Sequence, residues 1–304
     1  GDDSPGTDDG DSGTGSDSGD DSGADSGGED TGSVGETPAK VRFVALGDGG
    51  TGSDDQYAVA DTVAAVCAER GCDFALYLGD NIYNDGVTSV TDSQWEEKFE
   101  APYAVVDFPF YAALGNHDYG GGGGGFEVER AQAQVDYTNE SDKWRMPAKF
   151  YTHAHGDATF FALDTTPLDW SRVEEQTAWL PGQLAAATTK WKIAYGHHPY
   201  ISNGDHGNAN DNFGPFFEDN VCGQVDLYLA GHDHHLEWLE PQCGTEHVIS
   251  GAAAKLRGVE GSNPSFYGTS TLGFVWFEID GDTLTGVMYD VDGNELFRRV
   301  VTKQ

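Results

Sequence analysis

Residues 1–40 contain no Phe, Trp or Tyr and almost nothing but Gly, Ser, Thr, Asp and Glu. A stretch without large apolar side chains cannot bury enough surface to offset the entropy lost on ordering, so it is expected to be a disordered acidic linker. Basic residues are also scarce. Of the 52 acidic and 16 basic residues in the chain, twelve and one fall within residues 1–40, which leaves 40 and 15, a formal charge of −25, for residues 41–304. A surface this acidic excludes nucleic acid and anionic membranes as partners recognised through phosphate groups. It would also repel a small anionic substrate unless bound metal reversed the local sign.

Cysteine is limited to Cys67, Cys72, Cys222 and Cys243, and no two of them form the C-x-x-C pair of a zinc or thioredoxin site. Two disulfides between sequence neighbours in an oxidising compartment, or four free buried thiols, both fit that count. No apolar run is long enough to span a bilayer, and residue 1 is Gly rather than Met. The chain is therefore expected to be a mature or trimmed form of an exported protein. A leader of this composition resembles the spacer that follows the lipid-bearing cysteine of bacterial surface lipoproteins, so a lipid anchor upstream of residue 1 is an expectation. The expected location is secreted, periplasmic or at a bacterial cell surface.

What the sequence does contain begins at Val41. Five times a short apolar run ends in Gly followed by a residue able to bind metal: Gly47-Asp48, Gly79-Asp80, Gly115-Asn116, Gly196-His197 and Gly231-His232. Continuous apolar runs suit strands buried on both faces, and the helical spacing of Ala and Val over residues 56–70 supplies a crossover between the first two. The pattern predicts a layered α/β fold in one domain, residues 41–304. In such folds the carboxyl ends of neighbouring strands converge on a crevice, so the five strand-end residues are expected to meet there. The Gly before each would let the backbone turn sharply.

Taken singly, a Gly-Asp after a strand is usually a turn, and a lone His is usually a hydrogen-bonded core or surface residue. Five in order, with His234 two residues beyond His232, give a mixed oxygen and nitrogen donor set that suits iron, manganese or zinc. Asp80 has two oxygens with which to bridge two ions, and His232 and His234 can each serve a different one. Two other features are read as non-catalytic. The glycines of residues 120–125 lack the Lys-Ser/Thr of a phosphate-cradling loop and are expected to form a mobile loop beside the site. His153 and His155 share a strand face and are expected to be an exposed pair rather than a chelate.

Together the motifs Gly47-Asp48-Gly49-Gly50, Gly79-Asp80-Asn81-Ile82-Tyr83, Gly115-Asn116-His117-Asp118, Gly196-His197-His198-Pro199 and Gly231-His232-Asp233-His234 resemble those of the purple acid phosphatases. The similarity is to the small, tartrate-resistant type within the calcineurin-like metallophosphoesterase superfamily, and extends to Lys143-Trp144 and Phe150-Tyr151. Most of that superfamily begins with Asp-x-His, whereas here Gly50 holds the position of the His and Tyr83 stands three residues after Asp80, as in the purple branch. The resemblance implies a four-layer αββα sandwich of two mixed sheets flanked by helices. It implies a ferric ion among Asp48, Asp80, Tyr83 and His234, and a divalent partner, iron, zinc or manganese, among Asp80, Asn116, His197 and His232. Two such ions, about 3.5 to 4 Å apart, clamp a phosphate ester and deliver a metal-bound hydroxide as nucleophile.

By the same resemblance His117 and His206 are outer residues that protonate the leaving group or bind phosphate, with Asp118 placed to orient His117. His198 and His235 adjoin ligands but should point elsewhere. The long loop that covers the site in the mammalian members has no counterpart between Leu163 and Ala187. The expected activity is hydrolysis of small phosphate monoesters by a monomer. A phosphodiesterase or nucleotide hydrolase with the same metals remains the alternative, because substrate choice lies in loops such as residues 120–126 and 202–212. A non-catalytic calcium-coated surface protein is the reading from another class, against which the complete ligand set stands.

Overall fold

The computed structural model describes residues 40–170 and 174–303, so the linker expected for residues 1–40 lies outside the described residues except for Lys40. The chain runs β1 (Val41–Leu46), α1 (Asp54–Arg70), β2 (Phe74–Leu78), β3 (Phe110–Ala113), α2 (Val128–Asp136), β4 (Trp144–Arg145), β5 (Tyr151–His155) and β6 (Ala158–Ala162). It continues through α3 (Thr165–Asp169), α4 (Glu174–Ala186), β7 (Trp191–Tyr195), α5 (Phe213–Asn220) and β8 (Leu227–Ala230). Six further strands close it: β9 (Leu236–Gln242), β10 (Thr245–Ser250), β11 (Ser265–Thr269), β12 (Gly273–Asp280), β13 (Thr283–Asp290) and β14 (Glu295–Thr302).

These strands form two mixed sheets of seven, ordered β14-β13-β12-β1-β2-β3-β4 and β11-β9-β10-β8-β7-β6-β5. Within each sheet the central strands are parallel, β1 to β2 to β3 in one and β6 to β7 to β8 in the other. The sheets pack face to face, as the edge contact of Phe43 in β1 with Phe160 in β6 shows, their ring centroids 5.3 Å apart. Alternation explains the continuous apolar runs. Phe160, Ile193, Leu227 and Leu229 join the core between the sheets, while Phe161, Ala194, Tyr228 and Ala230 pack outward against Leu168, Leu180, Leu184 and Phe217 of the helices. On the other sheet α1 contributes Val59, Ala60 and Val63 to the buried layer. The expected four-layer architecture is therefore present.

Both disulfides join sequence neighbours, Cys67–Cys72 and Cys222–Cys243, with Cα separations of 5.1 and 5.6 Å. The free-thiol alternative is thereby removed. One expectation about β5 is corrected. His153 is not an exposed strand residue: its ring lies between Tyr111 at 3.8 Å and Phe160 at 4.9 Å, nearly parallel to both. His155 stacks on Phe74 at 4.2 Å. The shared face is real, but it is the inner one, turned toward β2 and β3.

Candidate metal centre

The carboxyl ends of β1, β2, β3, β7 and β8 meet, and each delivers one of the anticipated residues. The sharp turn after each strand is not made by the glycines as expected. Of the five that precede a ligand candidate only Gly79 has a positive φ, and it is the site residues Asp48, Asp80 and His232 themselves that take left-handed conformations, with φ of 60°, 52° and 68°. Asp and His tolerate that region better than most side chains, and strain of this kind collects where geometry is fixed for chemistry. Glycine is needed for proximity instead: a Cβ on Gly115 would lie 2.2 Å from the Asp80 nitrogen. Gly50 is likewise closed to any side chain, since its Cβ would fall 1.7 Å from the Asn81 carbonyl oxygen.

Seven side chains form one connected set. The Tyr83 hydroxyl lies 2.9 Å from Asp48 Oδ1, 2.8 Å from Asp80 Oδ2 and 3.3 Å from His234 Nε2. Beyond Asp80, His197 Nε2 is 3.4 Å from Asp80 Oδ1, 2.9 Å from Asn116 Oδ1 and 3.1 Å from His232 Nδ1. Asp80 thus turns one oxygen toward each half of the set. Asp48, Asp80 and His197 alone place a donor atom each within 4.8 Å of one another, and all three are buried.

Backbone contacts fix which atoms point inward. His197 Nδ1 sits 2.9 Å from the Leu78 carbonyl, so Nδ1–H donates there and Nε2 is the ring nitrogen that faces the site. Asn116 Nδ2 donates to the Gly123 carbonyl at 3.1 Å, which turns Oδ1 inward. Thr165 Oγ1 accepts the N–H groups of both His197 and His198 and meets His198 Nδ1 at 2.9 Å. Contrary to expectation the His198 ring stays beside the set, its centroid 4.5 Å from that of His232 and 5.1 Å from that of His197. His235 does turn away, to Glu237 at 3.1 Å.

A buried convergence of lone pairs is stable only around positive charge. In the protein's own terms that charge falls on His197: burial opposes it, but the Asp80 carboxylate outweighs burial and pushes the imidazole up to about 10. Asp80 is held well below the usual carboxylate range, the cost of burial being overcome by His197 and His117. Burial and then the charges of Asp48 and Asp80 drive the Tyr83 phenol far above its ordinary value, so only a strongly charged cation would displace its proton. The donor set therefore fits metal ions.

The outer residues stand on either side. His117 donates Nδ1–H to the Asn84 carbonyl at 2.7 Å, packs at a tilt against Tyr83 with centroids 4.5 Å apart, and keeps Nε2 3.9 Å from Asp80 Oδ2. His206 lies against His232, centroids 4.0 Å apart, at a cavity of about 210 Å³ lined also by Asp169, His198, Asn208 and Asn210. Asp118 does not orient His117. Its carboxylate accepts the N–H groups of Gly115, Asn81 and Ile82 and the Gln134 side-chain amide at 2.7 to 3.1 Å, so it braces the loops after β2 and β3. Burial and the nearby Asp80 push its pKa up to about 7 against the pull of those donors. The glycine loop lies beside the site as expected, joined to it through Asn116.

Sequence reasoning passed over Lys255 and Arg257. The Lys255 ammonium sits 3.5 Å from the centroid of the Tyr83 ring, and an Arg257 guanidinium nitrogen lies 2.7 Å from His206 Nε2.

A profile of the calcineurin-like phosphoesterases matches residues 41–236. The chain belongs to that family. Among curated relatives, human tartrate-resistant acid phosphatase type 5 is 30% identical over 305 residues, covering 87% of this chain and 91% of its own. Purple acid phosphatase 4 of Arabidopsis thaliana is 31% identical over 288 residues, covering 85% and 82%. Among solved structures, the phosphoesterase fold is shared with GAP50, the anchor in the inner membrane complex of Plasmodium. That likeness has a TM-score of 0.74 at 22% identity, over 87% of this chain and 89% of that one.

Proposed function

We infer that this phosphoesterase is an acid phosphatase that hydrolyses phosphate monoesters at a two-metal site. The observation that carries the reading is Asp80, whose two oxygens face two separate groups of donors, Tyr83 with Asp48 and His234 on one side and His197 with Asn116 and His232 on the other. We assign the first group to a ferric ion and the second to divalent iron, zinc or manganese, with Asp80 shared. When bound, such a pair neutralises charge on the phosphoryl oxygens and acidifies water.

The chain's own residues do the rest. Leu78 and Gly123 hold His197 and Asn116 in the orientation the second ion needs, so little reorganisation accompanies loading. His117 and His206 flank the place where the ester sits, each able to meet a phosphoryl or leaving-group oxygen. The cavity beside His206 is small and polar, which suits the alcohol half of a compact ester. The two disulfides support an oxidising, extracellular setting, and we propose secretion or a surface-bound form with a lipid anchor upstream, acting as a monomer on small substrates.

The test is metal analysis, a visible spectrum and turnover of a monoester beside a diester. A phenolate on Fe(III) is coloured, so the native protein should be pink to purple with two metals per chain and should prefer the monoester. Tyr83→Phe should keep metal and lose the band. A colourless iron-loaded protein, or a band that survives in Tyr83→Phe, would overturn the ligand assignment.

A further inference from the structure

His206 is exposed, on the loop between β7 and α5. A histidine in that setting samples many positions unless something holds it, and a group that must meet a reacting oxygen loses about 100-fold in rate when it is displaced by about 1 Å.

What holds the loop comes from the turn that carries two of the ligand candidates. His232 and His234 face the donor set, whereas Asp233 between them is fully buried and turns the other way. Its Oδ1 accepts the His206 backbone N–H at 2.9 Å and its Oδ2 accepts the Ser202 hydroxyl. Ser202 Oγ in turn accepts the Gly204 N–H at 2.9 Å, so the loop closes around one carboxylate. A side chain at residue 204 would prevent this, since a Cβ on Gly204 would fall 2.4 Å from Asp233 Cγ.

Four residues further on, the buried Glu237 takes a second grip on the same loop. It accepts the backbone N–H of Asn203 at 3.0 Å and the side-chain amide of Asn203 at 2.6 Å. The His206 ring is held from the ligand turn as well: Arg257 donates its backbone N–H to the His234 carbonyl at 2.9 Å and its guanidinium to His206 Nε2 at 2.7 Å. A buried carboxylate needs a donor on each oxygen, and both donors to the Asp233 carboxylate lie in this loop, so moving the loop away would strand a buried charge. Fixing His232 and His234 on metal ions therefore also fixes the residue on which the loop closes.

We propose that Asp233 is a positioning residue for His206, taking its own place from the two flanking ligands and passing it to the loop, so that metal loading firms the placement of the His206 imidazole. The part played by His206 in turnover rests on the phosphatase reading above; the coupling between metal and loop rests on the contacts alone.

Gly204→Ala tests this by forcing the loop off the carboxylate while leaving Asp233 and every ligand candidate in place. The variant should hold two ions and lower kcat for a phosphate monoester by about 10- to 100-fold. Asp233→Ala should do the same, and Gly204→Ala carries the test if that variant does not fold. Added to His206→Ala, Gly204→Ala should cost less than about threefold more, because both act through one imidazole. Amide hydrogen exchange of residues 202–206 is the readout apart from turnover: in the native protein it should slow by at least about tenfold on metal loading, and in Gly204→Ala the slowing should disappear. Native turnover in Gly204→Ala, loss of an ion from it, full additivity with His206→Ala, or exchange that ignores loading in the native protein would each overturn the positioning role. A native protein that holds two ions and turns over no ester would overturn the phosphatase reading instead, and the exchange measurement would still decide the coupling.

Discussion

Replacing His153 with Phe should stabilise the protein in acid and not at neutral pH. The Tyr195 hydroxyl donates to Tyr151 at 3.1 Å, so at the 3.3 Å contact between Tyr195 and His153 the Nε2–H is the donor, and Nδ1 is left buried without a partner. Protonating Nδ1 would place a cation between the rings of Tyr111 and Phe160 with no acceptor, and burial, followed by the charge of His155, accordingly holds the His153 pKa well below 6.5. A histidine whose folded pKa is depressed leaves stability intact above its unfolded pKa of about 6.5 and removes it as pH falls below that value, because the unfolded chain binds the extra proton.

Each pH unit below 6.5 costs about 1.4 kcal/mol until the folded pKa is reached, so at pH 4.5 the penalty is at most about 2.7 kcal/mol. For a domain of this size that is roughly 5–10 °C in Tm. His153→Phe keeps the stacked arrangement and loses one hydrogen bond, worth about 1 kcal/mol, while Tyr195 keeps Tyr151 as partner. Thermal unfolding of both proteins between pH 4.5 and 7.5 measures the effect. The variant should be slightly less stable at pH 7.5 and, with a net advantage of at most about 1.7 kcal/mol, should exceed the native Tm by up to about 3–7 °C at pH 4.5. A difference in Tm that does not change with pH would refute the reasoning, since it would mean that His153 already accepts its proton in the folded state.

Asp80→Ala should remove the group that faces both donor sets, and metal analysis should find fewer than two ions with turnover abolished; two tightly held ions in that variant would contradict the shared role. Asp118→Ala should leave four donors without their acceptor and cost roughly 3 kcal/mol or more in urea unfolding. A loss under about 1 kcal/mol would show that Asp118 is not the brace of the two loops.

The part of the fold that holds the centre was legible because the central strands are parallel and buried on both faces, which leaves an uninterrupted apolar run in the sequence ending where the ligand must stand. The antiparallel edges carry no such mark. β14 alternates between exposed and half-buried residues, and β5, also at an edge, reads as polar although its histidines face inward. Parity alone places His153 and His155 on one face. Which face is buried depends on Phe74 and Tyr111 of the opposite sheet, and no local pattern reports them.

The site shows the same division between what adjacency can and cannot say. Ligand candidates were readable because metal chemistry restricts the residue types and each follows a strand end. Asp118 was misjudged because neighbours in a tight helical turn, here His117–Tyr119, point in different directions, so a carboxylate next to a histidine in sequence turned to the backbone of another loop. Lys255 and Arg257 lie in a loop with no periodicity, and a lysine or arginine in such a segment ordinarily signals a solvated surface. Their place beside the metal centre depends on contacts distant in sequence, Lys255 with the Tyr83 ring and Arg257 with His206. That is a property of the folded arrangement, because in a domain where carboxylates outnumber basic groups 40 to 15 the sequence offers each of them many possible partners and only the structure shows which contact is made.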